Sequence, residues 1–292
     1  MEIIADIENV RLDNFLTEKL GESRSQINKM IKNKGVTVDG KTVKSGYILK
    51  NGDNIKIDYE KPDDTVKPEK MDLDIVYEDD DVIVINKANG VVVHPAPGNY
   101  SGTLVNGLIY HTSLSSLNGP IRPGIVHRID AYTTGLLMIA KNNKAHEKLA
   151  SELSLKKTRR RYIALVWGEI KNDSGTIDAP IGRSLNDRKK MAIISNGKKA
   201  ITHFKVLKRY KEATLIELTL ETGRTHQIRV HMDYIGHPVV NDPVYGGRKL
   251  IDSSGQALHA KTLGFTHPVT REYMEFDSDI PEKIKNIIKY FE

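Results

Sequence analysis

The 292 residues predict an α+β fold in two unequal parts, on three observations. From about residue 73 onward, short β-like apolar runs alternate with stretches of helical period, the pattern of a mixed α+β domain. Residues 9–58 run first as helices and then as short strands, with apolar positions of their own. Between the two lies a polar stretch, 61–71, with Pro62 and Pro68 and no apolar period, which reads as a linker. Domains of about 150 residues are usual, so two modest domains are expected: 1–60, a linker at 61–71, and 72–292.

The elements follow in order. Leu12, Phe15, Leu16 and Leu20 recur at helical spacing. Ser23 caps a second helix with Gln26 three positions on, as in a capping box. That helix buries Ile27, Met30 and Ile31 and stops at Gly35. Short strands at Val36–Val38 and Ile55–Ile57 follow, with turns at Asp39–Gly40 and Asn51–Gly52. In the larger part, strands are expected at Val82–Ile85, Leu136–Ala140, Tyr162–Val166 and Thr214–Leu220. Helices are expected at Asn143–Leu153, Thr225–Ile235 and Glu282–Tyr290, the second opening on Thr225 as its cap.

Composition narrows the chemistry. Hydrophobic residues at 39% and charged residues at 28% suit a soluble globular chain with a proper core. Cysteine is absent, which excludes disulfides, thiolate metal sites, iron–sulfur ligation and a thiol nucleophile. Glu2, Asp6 and Glu8 with no apolar core do not make a secretory signal. The longest stretch without Asp, Glu, Lys or Arg, 88–121, holds three prolines and five glycines, so no membrane helix is expected. The expected location is the cytoplasm.

Charge is uneven. Lys and Arg number 44 against 38 Asp and Glu, a net +6. Residues 1–22 hold two basic and six acidic side chains, whereas residues 23–57 hold eight basic and two acidic. Arg24, Lys29 and Lys32 fall on the exposed side of the second helix and form a basic face suited to phosphate, or else simply to solvent. Lys156, Lys157, Arg159, Arg160 and Arg161 make a second basic run beside Tyr162, again readable as RNA backbone contact or as solvated surface. Two such regions on separate modules would clamp one structured RNA.

Two further constellations carry chemistry. Arg122 to Asp130, followed by Thr133-Thr134-Gly135, is a turn-rich segment that delivers an acid beside Arg128 and His127 just before an apolar strand. By itself Asp130 is either a catalytic carboxylate held on a rigid scaffold or the cap of a local turn. Glu221 to His231 places Arg224, His226, Gln227 and Arg229 around the start of a helix, a place that favours anions. His226, His231 and His237 lack the i, i+4 spacing of a helical metal site, so no metal and no cofactor are expected.

Taken in order, these segments resemble a known family. Arg11-Leu12-Asp13, Ser23-Arg24-Ser25 and Gly35 to Gly40 are similar to the alpha-L RNA-binding domain, which also occurs in a small-subunit ribosomal protein. Over the larger part, Asp74 to Asp79, Val92 to Pro95, Gly124 to Leu137, Arg161-Tyr162, Pro180 to Arg183, Thr222 to His231, Asp242 to Gly246 and Leu258 to Ala260 resemble the pseudouridine synthases that modify large-subunit ribosomal RNA and some transfer RNA. Where that family usually has Lys-Asp after its essential Asp, this chain has Ala131-Tyr132, and where Lys-Pro is usual it has Lys87-Ala88.

The resemblance implies a mixed, largely antiparallel sheet with flanking helices behind a small alpha-L domain. It implies isomerisation of specific uridines in structured RNA, with ribosomal RNA favoured, a pre-ribosomal particle as a partner, and no metal, cofactor or membrane. It assigns no oligomeric state. Asp130 matches the essential Asp, acting as a nucleophile on the anomeric carbon or as a base on a ribose proton. Arg229 matches the cation that keeps that acid charged, and Tyr162 the ring that stacks on the flipped uracil. Leu258 matches an apolar wall of the pocket. Arg128 would fill the vacated stack or touch phosphate, and His127 would fix the loop. The alternatives are a non-catalytic RNA-binding assembly factor, a synthase acting on transfer RNA, and a phosphoryl-transfer enzyme, for which no second acid or phosphate loop is present.

Overall fold

A computed structural model of the chain describes residues 1–59, 65–96, 98–188, 190–248 and 250–292. The chain divides into two compact units, Met1–Asp64 and Thr65–Glu292.

In the first unit, β1 (Glu2–Ile4) precedes α1 (Leu12–Leu20) and α2 (Arg24–Lys32), followed by β2 (Val36–Val38), β3 (Lys41–Thr42) and β4 (Asn54–Ile57). The strands form one antiparallel sheet in the order β1-β4-β2-β3. The expected capping box is present, since the Gln26 amide N–H donates to the Ser23 hydroxyl and the Ser23 N–H donates to the Gln26 side chain. Leu12, Phe15, Leu16, Ile27, Met30 and Ile31 bury one face of each helix against Val36, Val38, Ile55 and Ile57. Arg24, Lys29 and Lys32 are exposed, and the Arg24 guanidinium donates to the buried Asp13 carboxylate at 3.0 Å. Arg11 joins it at 2.9 Å, and the two guanidinium groups push the Asp13 carboxyl far below the usual carboxylate range.

The second unit opens with β5 (Ile75–Glu78), β6 (Val82–Lys87), α3 (Leu104–His111), β7 (Thr134–Ala140), α4 (Asn143–Ser154) and β8 (Arg159–Trp167). It continues with β9 (Ser174–Asp178), β10 (Ile181–Arg183), β11 (Met191–Ile193), β12 (Ile201–Arg209) and β13 (Ala213–Leu220). α5 (Gln227–Tyr234), β14 (Leu258–Thr266), β15 (Tyr273–Asp277) and α6 (Glu282–Lys289) complete it. The main sheet runs β5-β6-β7-β14-β8-β13-β12-β9, with β15 also on β14. Its ladders are antiparallel except for the β7–β14 pair, so the sheet is mixed and largely antiparallel.

At β7 the sheet is buried on both faces, which explains why this strand reads as an unbroken apolar run. Leu137 and Ile139 face a core shared with α3 and α5, while Leu136, Met138 and Ala140 face a second core under α4. No helix among the described residues is long and apolar enough to cross a membrane.

The second half of the predicted linker differs from expectation, and residues 60–64 lie outside the described ones. Residues 65–71 run along α3: the Glu69 N–H donates to the Asn106 carbonyl at 3.0 Å and the Asn106 side chain donates to the Lys67 carbonyl at 2.8 Å. A buried asparagine offers this irregular backbone the partners a free linker would seek from water. α3, with a capping box of Thr103 and Asn106, is an unexpected helix in a stretch rich in glycine and proline.

Candidate active site

The order of the sheet brings three distant segments together. β14 lies between β7 and β8, with His259 opposite Thr134 on one side and Leu258 opposite Ala164 on the other. The approach is close because residue 135 is glycine: at φ +112 an added Cβ would stand 2.2 Å from the Ala260 carbonyl oxygen. Asp130 at the entrance to β7, Tyr162 on β8, Leu258 at the start of β14 and Arg229 on α5 therefore line one cavity of about 490 Å³, a size usual for small-molecule sites.

Arg229 organises the cavity floor. Its Nη1 donates to Asp130 Oδ2 at 2.9 Å, and its Nε and Nη2 form a fork to Asp242 at 2.6 and 2.8 Å. Burial acts to lower the Arg229 pKa, but the two carboxylates outweigh it and hold the guanidinium above its ordinary value. The Asp242 side chain is fully buried, whereas that of Asp130 keeps 17% exposure, so Asp130 is the acid with an edge free to meet a ligand. Asp242 is further held by the N–H groups of Val244 and Tyr245 at 2.9 and 3.2 Å. The Tyr245 ring lies 5.0 Å from the Arg229 guanidinium. In the sequence Asp242 stands in the Asp242 to Gly246 segment with no role apparent. The Asp-Pro-Val-Tyr turn was the only local signal.

His226 is the other group facing Asp130, with Nε2 at 3.8 Å from Oδ1 and Nδ1 at 2.8 Å from the Tyr245 hydroxyl. Burial pushes its pKa below the ordinary value. The helix was expected to open on Thr225. It opens instead at Gln227, behind His226 in the left-handed region at φ 56. The donors expected to make an anion site there are taken up within the protein. The Arg224 N–H and the Thr222 hydroxyl both donate to Gln227 Oε1, at 3.0 and 2.8 Å, and Gln227 in turn donates to the Ile201 carbonyl. His231 lies between Thr202 and the Ala179 carbonyl, and His237 Nδ1 is 2.9 Å from the Trp167 carbonyl.

The backbone after Asp130 is pinned by two lysines. Lys87, buried, donates to the carbonyls of Ala88 and Ala131 at 2.8 and 2.7 Å. Lys283, from α6, donates to the Tyr132 carbonyl and to Asn89. Both contacts at 131 and 132 use main-chain oxygens, so replacing the family's usual Lys-Asp with Ala131-Tyr132 leaves these anchors intact.

The remaining expected residues divide. His127 Nε2 accepts the Met138 N–H at 3.1 Å, tying the loop to β7, and burial with the nearby Arg160 charge holds its pKa down at about 3. Arg128 is exposed, and its Nη1 donates to His94, whose Nδ1 donates in turn to the Pro95 carbonyl. The basic run on β8 is not one surface. The two-residue period of the strand turns Arg159 and Arg161 toward Glu275 and Glu217, at 3.0 and 3.5 Å, and Arg160 toward the cavity. Lys156 pairs with Glu221 at 2.7 Å.

Comparison with known proteins finds relatives along the whole chain. Residues 81–234 match the family model for RNA pseudouridylate synthase, and residues 10–55 match that for the S4 domain. The chain is 54% identical to an uncharacterized RNA pseudouridine synthase of Bacillus subtilis, over 96% of this chain and 93% of that one. It is 42% identical to ribosomal large subunit pseudouridine synthase D of Pseudomonas aeruginosa, over 96% and 92%. Among solved structures, human RNA pseudouridylate synthase domain containing 1 superposes with a TM-score of 0.61 at 25% identity, covering 75% of this chain and 94% of that one.

Proposed function

Because the chain belongs to the RNA pseudouridylate synthase family, and so is an isomerase that turns uridine into pseudouridine in RNA, we propose that its target lies in large-subunit ribosomal RNA and that Asp130 is the reactive carboxylate. The isomerisation breaks the bond from N1 to the anomeric carbon and makes one from C5. A proton leaves C5 and one arrives at N1, so atoms and charge balance with no other reactant.

The observation that carries the reading is the Asp130–Arg229 contact at 2.9 Å on the wall of a cavity that also holds Tyr162 and Leu258. The carboxylate acts at the sugar as an anion. Arg229 supplies the opposing charge, and Asp242 keeps Arg229 from rotating away. The uridine leaves its stack at a cost of a few kcal/mol. Stacking on Tyr162, worth about 1–3 kcal/mol per base, offsets much of that, with Leu258 closing the other side.

The ribosomal assignment draws on the S4 domain and on the Pseudomonas aeruginosa relative, whose name gives the ribosomal large subunit. In that reading the enzyme works in the cytoplasm on structured RNA or a pre-ribosomal particle, with Arg24, Lys29, Lys32 and Arg159 on exposed surfaces that meet phosphate. Pseudouridine mapping in a strain lacking the gene, against its parent, tests this. The expected result is loss of a discrete set of large-subunit sites, restored by the wild type and not by Asp130→Asn. Loss confined to transfer RNA would replace the target, and loss of nothing would overturn the reading.

A further inference from the structure

Arg160 is 8% exposed, and its Nε is buried without a hydrogen-bond partner. Among the described residues its guanidinium has no ion pair, although Arg159, Arg161 and Lys156 around it each have one. The cavity lining holds two carboxylates, and both are engaged: Asp130 by Arg229, and Glu221 by Lys156 and by His203 at 2.9 Å. A buried cation with no counter-charge is a costly arrangement unless something else completes it. Room is kept for it as well. At Gly223 an added Cβ would come within 2.9 Å of Arg160 Nη1, so the loop that borders the cavity leaves space for the guanidinium.

From these observations we propose that Arg160 receives the phosphate adjoining the target uridine, so that the nucleotide brings the anion the cavity lacks. The proposal rests on the reading of the cavity as a uridine site. Arg160 and Tyr162 are two residues apart on β8 and lie on the same side of the strand. A base on the Tyr162 ring then has its sugar–phosphate link beside the guanidinium, whose planar fork suits two phosphate oxygens. Phosphate is the only anionic group that unmodified RNA presents. Arg160 is thus a substrate-binding residue of the pocket itself, distinct from the exposed cations that track the RNA backbone.

The test measures affinity of the full-length protein for a short RNA with one central uridine, and for the same RNA with a neutral methylphosphonate on either side of that uridine. Wild type should lose roughly ten- to a hundredfold in affinity for one of the two substituted RNAs, the range for a hydrogen bond to a charged group. Arg160→Gln should bind all three alike, at the weakened level. Arg160→Lys should keep part of the sensitivity. If folded Arg160→Gln retains the wild-type preference for the unsubstituted RNA, or if wild type shows no preference, the proposal is overturned. Binding is read separately from turnover, so a failure to form pseudouridine in ribosomal RNA sinks the target assignment and leaves this result to be judged by itself.

Discussion

Arg229 contacts Asp130 through one nitrogen, at 2.9 Å, and is held in place by Asp242 through the other two. The arginine is therefore a bridge between an acid with one open edge and an acid with none. Arg229→Met removes the shared counter-charge from Asp130 and from the fully buried Asp242. The expected loss is about 3–5 kcal/mol, the range for breaking a buried pair, together with loss of product. Urea unfolding and a pseudouridine assay check the two halves. Asp242→Asn keeps the shape but frees the guanidinium to turn. Product formation should fall steeply while binding to RNA through the N-terminal unit holds, and unchanged turnover would show that Asp242 does not position Arg229.

Tyr162 tests the stacking argument. Tyr162→Ala should lower kcat/KM by roughly five- to a hundredfold or somewhat more, the equivalent of about 1–3 kcal/mol of base stacking. Tyr162→Phe keeps the ring and should stay close to wild type. A Phe variant as poor as the Ala variant would assign the work to the hydroxyl instead.

His127 sets a pH dependence of stability. In the folded chain it is neutral, accepting from Met138, and its pKa is pushed down to about 3 by burial and by the Arg160 charge. In the unfolded chain it titrates near the ordinary value of about 6.5. Below that value the unfolded chain takes up a proton the folded one refuses. Stability therefore falls as pH falls, by about 1.4 kcal/mol per unit from this group, until the folded pKa is reached. His259, lowered to about 4, adds in the same direction. Unfolding curves from pH 7 to 4 should have a shallower slope for His127→Gln, whose side-chain oxygen can still accept from Met138. An identical slope would refute the argument.

Gly135 lets β7 approach β14. Gly135→Ala places a methyl 2.2 Å from the Ala260 oxygen at a backbone φ of +112. The expected cost is at least about 3 kcal/mol. A thermal melt close to that of wild type would mean that the strands can part without penalty.

The sequence revealed its local elements well. The Ser23–Gln26 box and the apolar spacing of the first two helices depend on neighbours within a turn, and they appear where expected. The same holds for β7, whose continuous apolar run signals burial on both faces. The start of α5 was misplaced because Thr225 looks like a cap. In the structure Gln227 occupies the donors of that turn, and His226 takes a left-handed conformation that its residue type does not announce.

The family resemblance carried by the ordered motifs implied Asp130, Tyr162, Arg229 and Leu258 as one group, and with them the chemistry. The sheet order decided the rest. It set β14 between strands more than ninety residues earlier and brought Asp242 under Arg229. Hydrogen-bond ladders and buried charge pairs join residues remote in sequence, and their energies depend on distance in space, which a linear pattern of residue types does not contain.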